Sequence, residues 1–503
     1  MLQPHLEKYL PSLIYDQIDV AIHGWEFRRK RWYHDRLGAI FAVASPDEFT
    51  IWCADPAIGT TILQNRNEFQ QAPIVSSILG FLGSNVFMTN GDECHKLQFR
   101  KRHRRMFNKN LDERISGVVW TETLQQAQSM INYLMEHPGN ETLEGLRSIA
   151  INVIGKAGYN WQQPWSPNKL DIPPKSATGK EAYFGMLGLV TTMILEAALL
   201  PRKVMQLPFM PLALQSMGYH LERAPGYIQE ILRNEGESDS SKRHSESNFL
   251  SLMLQFSEEE NSDHETKPSL TQEEISGNLF VFTSAGFETT ANTMGFAVIL
   301  LALYPEWQDW IQYEIHGLDI SGFNWTYENT FPKCKRTLAL MFETLRLYTP
   351  VAHTTRAIFN PTSLSGTDGQ IYSLTPPLDI YVEQSIIHLD TAIWGDDAMD
   401  FRPSRWIDDS GDLITPDKGT FLPWSGGPRV CPGVRFSQVE FVATIATLFR
   451  NSRCAPLIVP GDRPEDPALR LKTAIANTVT KLTLSVKDPK EVQLKWTACG
   501  KAD

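Results

Sequence analysis

LFVFTSAGFETTANTMGFAVILLALY, residues 279–304, is apolar on nearly every side. A run of that kind is either a membrane span or the buried axis of a globular protein. Asn278, Glu288 and Asn292 argue against the span, because polar and charged groups in lipid are expensive. The preceding SLTQEEISGN (269–278) reads as a helix start. Ser269 or Thr271 can cap it, and Glu273 and Glu274 lie near the positive end of the dipole. A helix from 271 to 304 would be about 50 Å long at the usual rise. It should cross the centre of the protein.

Working outward, residues 39–55 (AIFAVASPDEFTIWCAD) read as a β-hairpin around a Ser-Pro-Asp turn. From about 110 to 232 most segments have helical patterning. NEGESDSSKRHSESN (234–248) and SEEENSDHETKPS (257–269) have the composition of solvated loops. After residue 355 short strands and Pro/Gly turns take over, and helix returns at about 433–450. The expected fold is mainly α with a smaller β part. No repeat divides the 503 residues, and 1–503 reads as a single domain with 1–30 as an N-terminal extension.

Composition narrows the function. A net charge of −11 excludes general nucleic-acid affinity. The six cysteines (53, 94, 334, 431, 454, 499) are far apart and form no C-x-x-C pair, against a zinc ribbon or a thioredoxin-type centre. So sparse a set suits a reducing compartment. The N-terminal MLQPHLEKYLPSLIYDQIDVAIHGW is interrupted by Glu7, Lys8, Asp16 and Asp19 and is no membrane span. The protein is soluble, or an anchor was trimmed before Met1.

Four short stretches carry chemistry. In SAGFETTA (284–291), Gly286 interrupts good helix formers at a cost of about 1 kcal/mol relative to alanine. A residue without a side chain lets something large and flat approach. Ala285 precedes it, and Glu288 beside Thr289 puts an acid next to an alcohol in an apolar helix. The Thr289 hydroxyl can bond the carbonyl four residues back and loosen the ladder, giving a groove for water or a small ligand. The alternative is a packing notch with a solvated Glu288. In ETLR, Glu343 and Arg346 share a helix face, a pattern that equally describes a surface ion pair. In DFRPSRW (400–406), Arg405 would need carboxylate partners if buried.

The fourth stretch is PWSGGPRVCPG, 423–433. Gly426, Gly427 and Gly433 allow turns that other residues resist. GVRFSQVEFVATIATLF follows with helical periodicity, so Cys431 stands just ahead of a helix N-terminus. Such a position favours negative charge on sulfur. A thiolate there could bind a metal axially; a buried, packing cysteine is the alternative.

Taken together and in this order, the four stretches resemble the cytochrome P450 superfamily of haem-thiolate monooxygenases. The family's aromatic-x-x-G-x-R-x-C-x-G loop is filled by Trp424, Gly427, Arg429, Cys431 and Gly433, with Trp where Phe is usual. Ala285, Gly286, Glu288, Thr289 and Thr290 match its central-helix motif; Glu343, Arg346 and Arg405 match its E-x-x-R pair and third partner. The resemblance covers residue 30 to the end. It implies the P450 fold, a long central helix over haem with a β-rich subdomain, and haem b on Cys431. Thr289, helped by Glu288, would orient O2 and pass protons, with Gly286 and Ala285 leaving room. Arg429 and Arg356 would meet the haem propionates. Glu343, Arg346 and Arg405 would support the cysteine loop.

One element departs from the family. Its W-x-x-x-R helix corresponds to GDECHKLQFRKRHRRMFN (91–108), which has no Trp. Arg100 is the expected propionate arginine, with Lys96 in the Trp position; Arg102 and His95 are the alternatives. Lys96, Arg100, Lys101, Arg102, Arg104, Arg105 and Lys109 have no acid among them, a charge run suited to an acidic partner. By analogy the partner is an NADPH-fed flavoprotein, NADPH-cytochrome P450 reductase, since the chain has no reductase domain. The wording looks fungal and points to secondary metabolism.

The expected pocket draws on 74–87, 187–214, Phe282, Thr283, 351–355 and 474–479, mostly apolar residues that fit a lipophilic small molecule. LLPRKVMQLPFMPLAL (199–214) could dip into a membrane surface or act as a lid. The expected location is the cytoplasmic face of the endoplasmic reticulum membrane if an anchor was trimmed, and the cytoplasm otherwise. The competing readings are a haem-thiolate isomerase or dehydratase and a non-catalytic haem protein. The retained Glu288–Thr289 pair favours oxygen activation over both.

Overall fold

The computed structural model describes residues 20, 24–45, 49–80, 82–88, 111, 113–167, 172–236, 248–262, 271–318, 325–366, 369 and 371–499. Helix α1 (Trp25–Arg29) leads to the hairpin β1 (Ile40–Ala44) and β2 (Phe49–Cys53), then α2 (Pro56–Gln64) and β3 (Gln70–Gln71). A helical part follows: α3 (Glu113–Glu136), α4 (Thr142–Tyr159), α5 (Gly179–Thr192), α6 (Leu212–Gly236), α7 (Phe249–Ser262), α8 (Gln272–Leu303), α9 (Glu306–Leu318) and α10 (Lys335–Leu347). Then come β4 (Thr354–Ile358), β5 (Thr362–Ser365), β6 (Ile371–Leu374) and β7 (Leu378–Val382). The chain ends with α11 (Val434–Arg450), β8 (Ser452–Pro456), α12 (Asp466–Ala476), β9 (Thr478–Thr480), β10 (Leu484–Val486) and β11 (Leu494–Ala498), with short helical turns between several of these.

Helix α8 forms as its sequence requires. Thr271 Oγ1 accepts the Glu274 N–H at 3.2 Å and Glu274 Oε2 accepts the Thr271 N–H at 2.6 Å, a reciprocal capping box. Phe280 and Phe287, seven residues apart, are buried on one face of it and Phe296 on the opposite face, each contributing about 2 kcal/mol of apolar burial. Its most apolar window has a mean hydropathy of 1.3, yet 78% of that window lies inside the protein. Two of the amide side chains on it find partners in neighbouring segments. Asn278 Oδ1 accepts the Val86 N–H at 3.1 Å, and Asn292 Nδ2 donates to Thr483 Oγ1 at 2.9 Å. This is a core helix.

Around α8 the helices form the main core, with α4 and α10 packed against it and α11 lying along α3. The β part is a five-stranded sheet in the order β1-β2-β7-β4-β3, with β2 and β7 parallel and the other neighbours antiparallel. Hairpin β1–β2 pairs Ile40 with Cys53, as its turn signal predicts. Sheet and α2 share a second core that includes Ile58, Phe69 and Ile380. The N-terminal residues from Trp25 onward are tied in: Trp25 and Glu26 are buried, Glu26 pairs with His353 at 2.6 Å, and His34 pairs with Glu383.

One expectation needs correction. Residues 234–236 are the end of α6, and residues 257–262 are the last turns of α7, rather than loop. Glu258, Glu259 and Glu260 are good helix formers, and acidity alone does not break a helix already nucleated by the apolar FLSLMLQF. Residues 237–247 and 263–270 lie outside the described part.

Candidate active site

Between Gly277 and Ala302 every residue of α8 is buried except Ala285, Gly286, Thr289 and Asn292. Those positions follow helical spacing, so solvent reaches the middle of the core helix along a single stripe. Ala285 is the most open of them. A Cβ on Gly286 would lie 2.6 Å from Ile154 Cδ1, so this glycine lets α4 approach; Ala285, next to it, faces the accessible space. Thr289 Oγ1 donates to the Ala285 carbonyl at 2.7 Å, as expected, but the helix stays unbroken from Gln272 to Leu303. The groove is a gap beside an intact helix.

Glu288 stands behind this stripe. It is buried, and its Oε2 has no hydrogen-bond partner. Burial pushes its pKa up from 4.5 to about 7, while the charges of Arg147 and Lys481 oppose the rise. Arg147 comes from α4, where its guanidinium lies over the Phe287 ring at 5.8 Å. A lone arginine in the apolar run LEGLRSIAINVIG was the available signal for it.

The same part of α8 meets α11, which follows the cysteine loop. Phe282, one turn ahead of Ala285, packs edge-on against Phe436 of α11 at 6.0 Å between ring centroids. Cys431 lies five residues before Phe436 and two before Gly433, which caps α11. It is the exposed member of the five described cysteines, none of which is in a disulfide. The thiols of Cys53, Cys334 and Cys454 are buried, and desolvation pushes all three up, away from thiolate.

The loop is held from several directions. Cys431 N–H donates to the Trp424 carbonyl at 2.9 Å, and Trp424 Nε1 reaches Ser437 Oγ at 3.3 Å. Gly427 has φ +65°, and a Cβ there would meet the Leu63 carbonyl oxygen at 2.3 Å, so only glycine lets the loop lie against the end of α2. Thr354 at the start of β4 donates to Ser425 Oγ at 3.2 Å.

That contact brings β4 and Arg356 alongside. Arg356 Nη1 and Arg429 Nη1 each lie 3.4 Å from one atom, Gln71 Oε1. Gln71 faces Arg356 across the β3–β4 pairing. Two guanidiniums, one from β4 and one from the cysteine loop, thus converge on one acceptor. The donor set (one thiol ahead of a helix N-terminus, two cations and apolar walls) fits an iron porphyrin with two carboxylates. Gln71 could not be picked out from sequence, since its partner lies 285 positions away. Arg100, Lys96 and the remainder of the basic run lie outside the described residues.

Beneath the loop the E-x-x-R pair is fully buried. Glu343 accepts five N–H groups: Arg346 Nε and Nη2, each at 2.8 Å, Arg405 Nε at 3.0 Å, the Arg402 amide at 2.9 Å and Trp406 Nε1 at 3.0 Å. Arg405 also meets Asp397 at 3.3 Å, and the guanidinium of Arg402 helps hold the Asp397 carboxyl below the usual range. Trp406 stacks toward Phe421 at 4.5 Å, which touches Trp424 at 6.2 Å. The surface-pair alternative fails because no water reaches these groups to weaken the pairing.

Of the expected pocket, Val351 is exposed and Thr283 is not available. The Thr283 hydroxyl is buried 2.6 Å from that of Tyr159, on the side of α8 away from the stripe. In 199–214, Leu199, Phe209 and Leu212 are exposed.

Comparison with known proteins agrees with this geometry. A family model described as cytochrome P450 matches residues 19–480. The phomenoic acid biosynthesis cluster cytochrome P450 monooxygenase of Leptosphaeria maculans is 27% identical over 94% of this chain and 86% of its own length. Cytochrome P450 monooxygenase prx9 of Penicillium rubens is 26% identical over 87% of this chain and 79% of its own. The 7-deoxyloganic acid hydroxylase of Catharanthus roseus is 30% identical over 40% of this chain and 38% of its own.

Proposed function

The chain belongs to the cytochrome P450 family as a fungal-type monooxygenase, and from that premise we propose that it inserts one oxygen atom of O2 into a lipophilic small molecule. The reaction is a hydroxylation, an epoxidation or an oxidative rearrangement. The second oxygen atom leaves as water, with two electrons from NADPH and two protons. The observation that carries this reading is the accessible stripe of Ala285, Gly286 and Thr289 on an otherwise buried helix, backed by Glu288.

Haem b, when bound, supplies the oxygen-activating and electron-accepting chemistry. Cys431 is its proposed ligand, with Trp424, Gly427 and Gly433 shaping the loop that presents the sulfur. Arg356 and Arg429 are the proposed partners of the two carboxylates, and Arg100 is a third from the sequence pattern. The Thr289 hydroxyl donates its own proton to Ala285, so its lone pairs can accept a hydrogen bond from a group in the accessible space. Glu288, with its pKa near 7, can give and regain a proton at neutral pH. The mostly apolar residues around the stripe would select for lipophilic molecules.

Electrons would come from an external flavoprotein, NADPH-cytochrome P450 reductase, with the basic run 96–109 as the proposed docking segment. A relative named for a biosynthetic cluster supports a place in secondary metabolism. The exposed Leu199, Phe209 and Leu212 support contact with a membrane surface, at the cytoplasmic face of the endoplasmic reticulum. No nucleic-acid partner is proposed for a chain of charge −11. The whole of 1–503 is read as one domain.

The test is a reconstitution with reductase, NADPH and isotopically labelled O2 against an apolar compound library. Label in the product supports the reading. Turnover without NADPH or O2 would replace it with the isomerase or dehydratase reading. The reduced protein with carbon monoxide should show the long-wavelength Soret band of thiolate-bound haem, and Cys431→Ala should abolish it.

A further inference from the structure

His388 lies between the buried Glu343–Arg346 pair and the cysteine loop. Its carbonyl accepts from Arg346 Nη1 at 2.9 Å. Its ring Nε2 lies 2.8 Å from the Leu422 amide nitrogen. A backbone amide can only donate, so Nε2 accepts, and in a neutral ring the proton sits on Nδ1. The ring is fully buried, and burial together with the Arg346 charge pushes its pKa down to about 3, so it is neutral throughout the working range. Nδ1 is directed at the last carbonyls of α10, those of Leu345 and Arg346, without a hydrogen bond of ordinary geometry. A buried donor left in that condition destabilises the protein. The ring nevertheless keeps Nε2 on Leu422.

Leu422 is where the loop begins. Two residues later the Trp424 carbonyl accepts the Cys431 amide and closes the loop, and the Leu422 carbonyl accepts the Ser425 amide at 2.9 Å, so Leu422 is the turn that leads into it. Phe421, the residue before Leu422, packs on the His388 ring at 5.2 Å between centroids.

We propose that His388 is a positioning residue for the Cys431 thiolate, hooking the start of the cysteine loop to the Glu343–Arg346–Arg405 network through the Leu422 amide. Beside the aromatic contacts Trp406–Phe421–Trp424, His388 adds a hydrogen-bonded link from the ion network to the loop. This rests on reading Cys431 as the haem ligand.

The test uses the haem-bound full chain with two measurements: hydrogen exchange of peptides covering 420–430, and the spectrum of the reduced protein with carbon monoxide. His388→Phe keeps the ring volume and removes the acceptor. It should raise exchange in that segment about fivefold, the size of one lost hydrogen bond, and shift part of the thiolate Soret band to shorter wavelength. His388→Gln, whose Oε1 can accept the same amide, should hold both near wild type. A His388→Phe protein with wild-type exchange and an undiminished band overturns the proposal, as does a Gln variant damaged as severely as Phe. If His388→Phe fails to fold, His388→Met replaces it. Met is similar in length to Gln and lacks the acceptor, and equal behaviour of the Met and Gln variants overturns the proposal. A wild-type protein without the thiolate band would instead remove Cys431 as ligand and leave the exchange result standing.

Discussion

Glu343 and Arg346 meet through two parallel hydrogen bonds of 2.8 Å, with both side chains entirely out of solvent. A bidentate pair of this kind is strong when complete and damaging when halved. Removing one partner strands the other charge in the interior. Arg346→Ala should therefore lower stability by about 3–5 kcal/mol, and Glu343→Ala should do at least as much, since it abandons Arg405 as well. Chemical denaturation checks this; a loss below about 1 kcal/mol would return the pair to the class of surface ion pairs.

Glu288 makes stability depend on pH. Its folded pKa of about 7 lies above the ordinary 4.5, so between those values the folded protein binds more protons than the unfolded chain. Stability should fall as pH rises through that window and level off above it, by about 3 kcal/mol in all. Glu288→Gln should remove the slope. Melting curves of the two proteins from about pH 5 to about pH 8 give the comparison, and parallel curves would contradict it.

Thr289→Ala should leave haem binding and overall stability nearly unchanged and cut product per NADPH by about a hundredfold, the lower end for a lost proton-transfer group. Thr289→Ser should recover part of the coupling. Unaltered coupling in the alanine variant removes the hydroxyl from the reaction.

Gly427→Ala places a methyl group against the Leu63 carbonyl at a φ of +65°. The backbone term alone costs about 1 kcal/mol, and the clash adds to it. The far-ultraviolet circular dichroism should stay native while the thiolate Soret band weakens. A full band would show that the loop can move away from α2 without disturbing the sulfur.

Arg356→Leu should speed haem release to a scavenger globin by about tenfold or more, the worth of one charge-assisted hydrogen bond. Gln71→Leu should act in the same direction, since it removes the acceptor shared by Arg356 and Arg429. An unchanged release rate in both variants would separate these arginines from the haem carboxylates.

The features legible in sequence were those whose cause is local. Thr271 and Glu274 announced the start of α8 because a capping box is complete within four residues. Cys431 could be placed before a helix because glycines and a periodic run flank it. Spacing put Glu343 and Arg346 on one face but could not say that the face was buried, since burial depends on Arg405 and Trp406, which arrive from 62 and 63 positions away. Gln71 and His388 carried no such signal. Each acquires its place from strands or helices distant in the chain, and nothing beside it in sequence demands the partner it meets. Gly286 was noticed for a sound reason, its cost in a helix, but that absence of a side chain serves Ile154 of the neighbouring helix.

The unbroken ladder of α8 limits how this enzyme can be re-engineered. A helix capped by its own box, packed on nearly all sides and continuous past its accessible stripe offers no hinge. A bulkier compound cannot be admitted by bending it, and enlarging Ala285 would only shorten the room above it. Libraries seeking altered products are better spent on segments outside the helix: the 82–88 segment held by Asn278, and the 199–214 stretch with its outward-facing Leu199, Phe209 and Leu212.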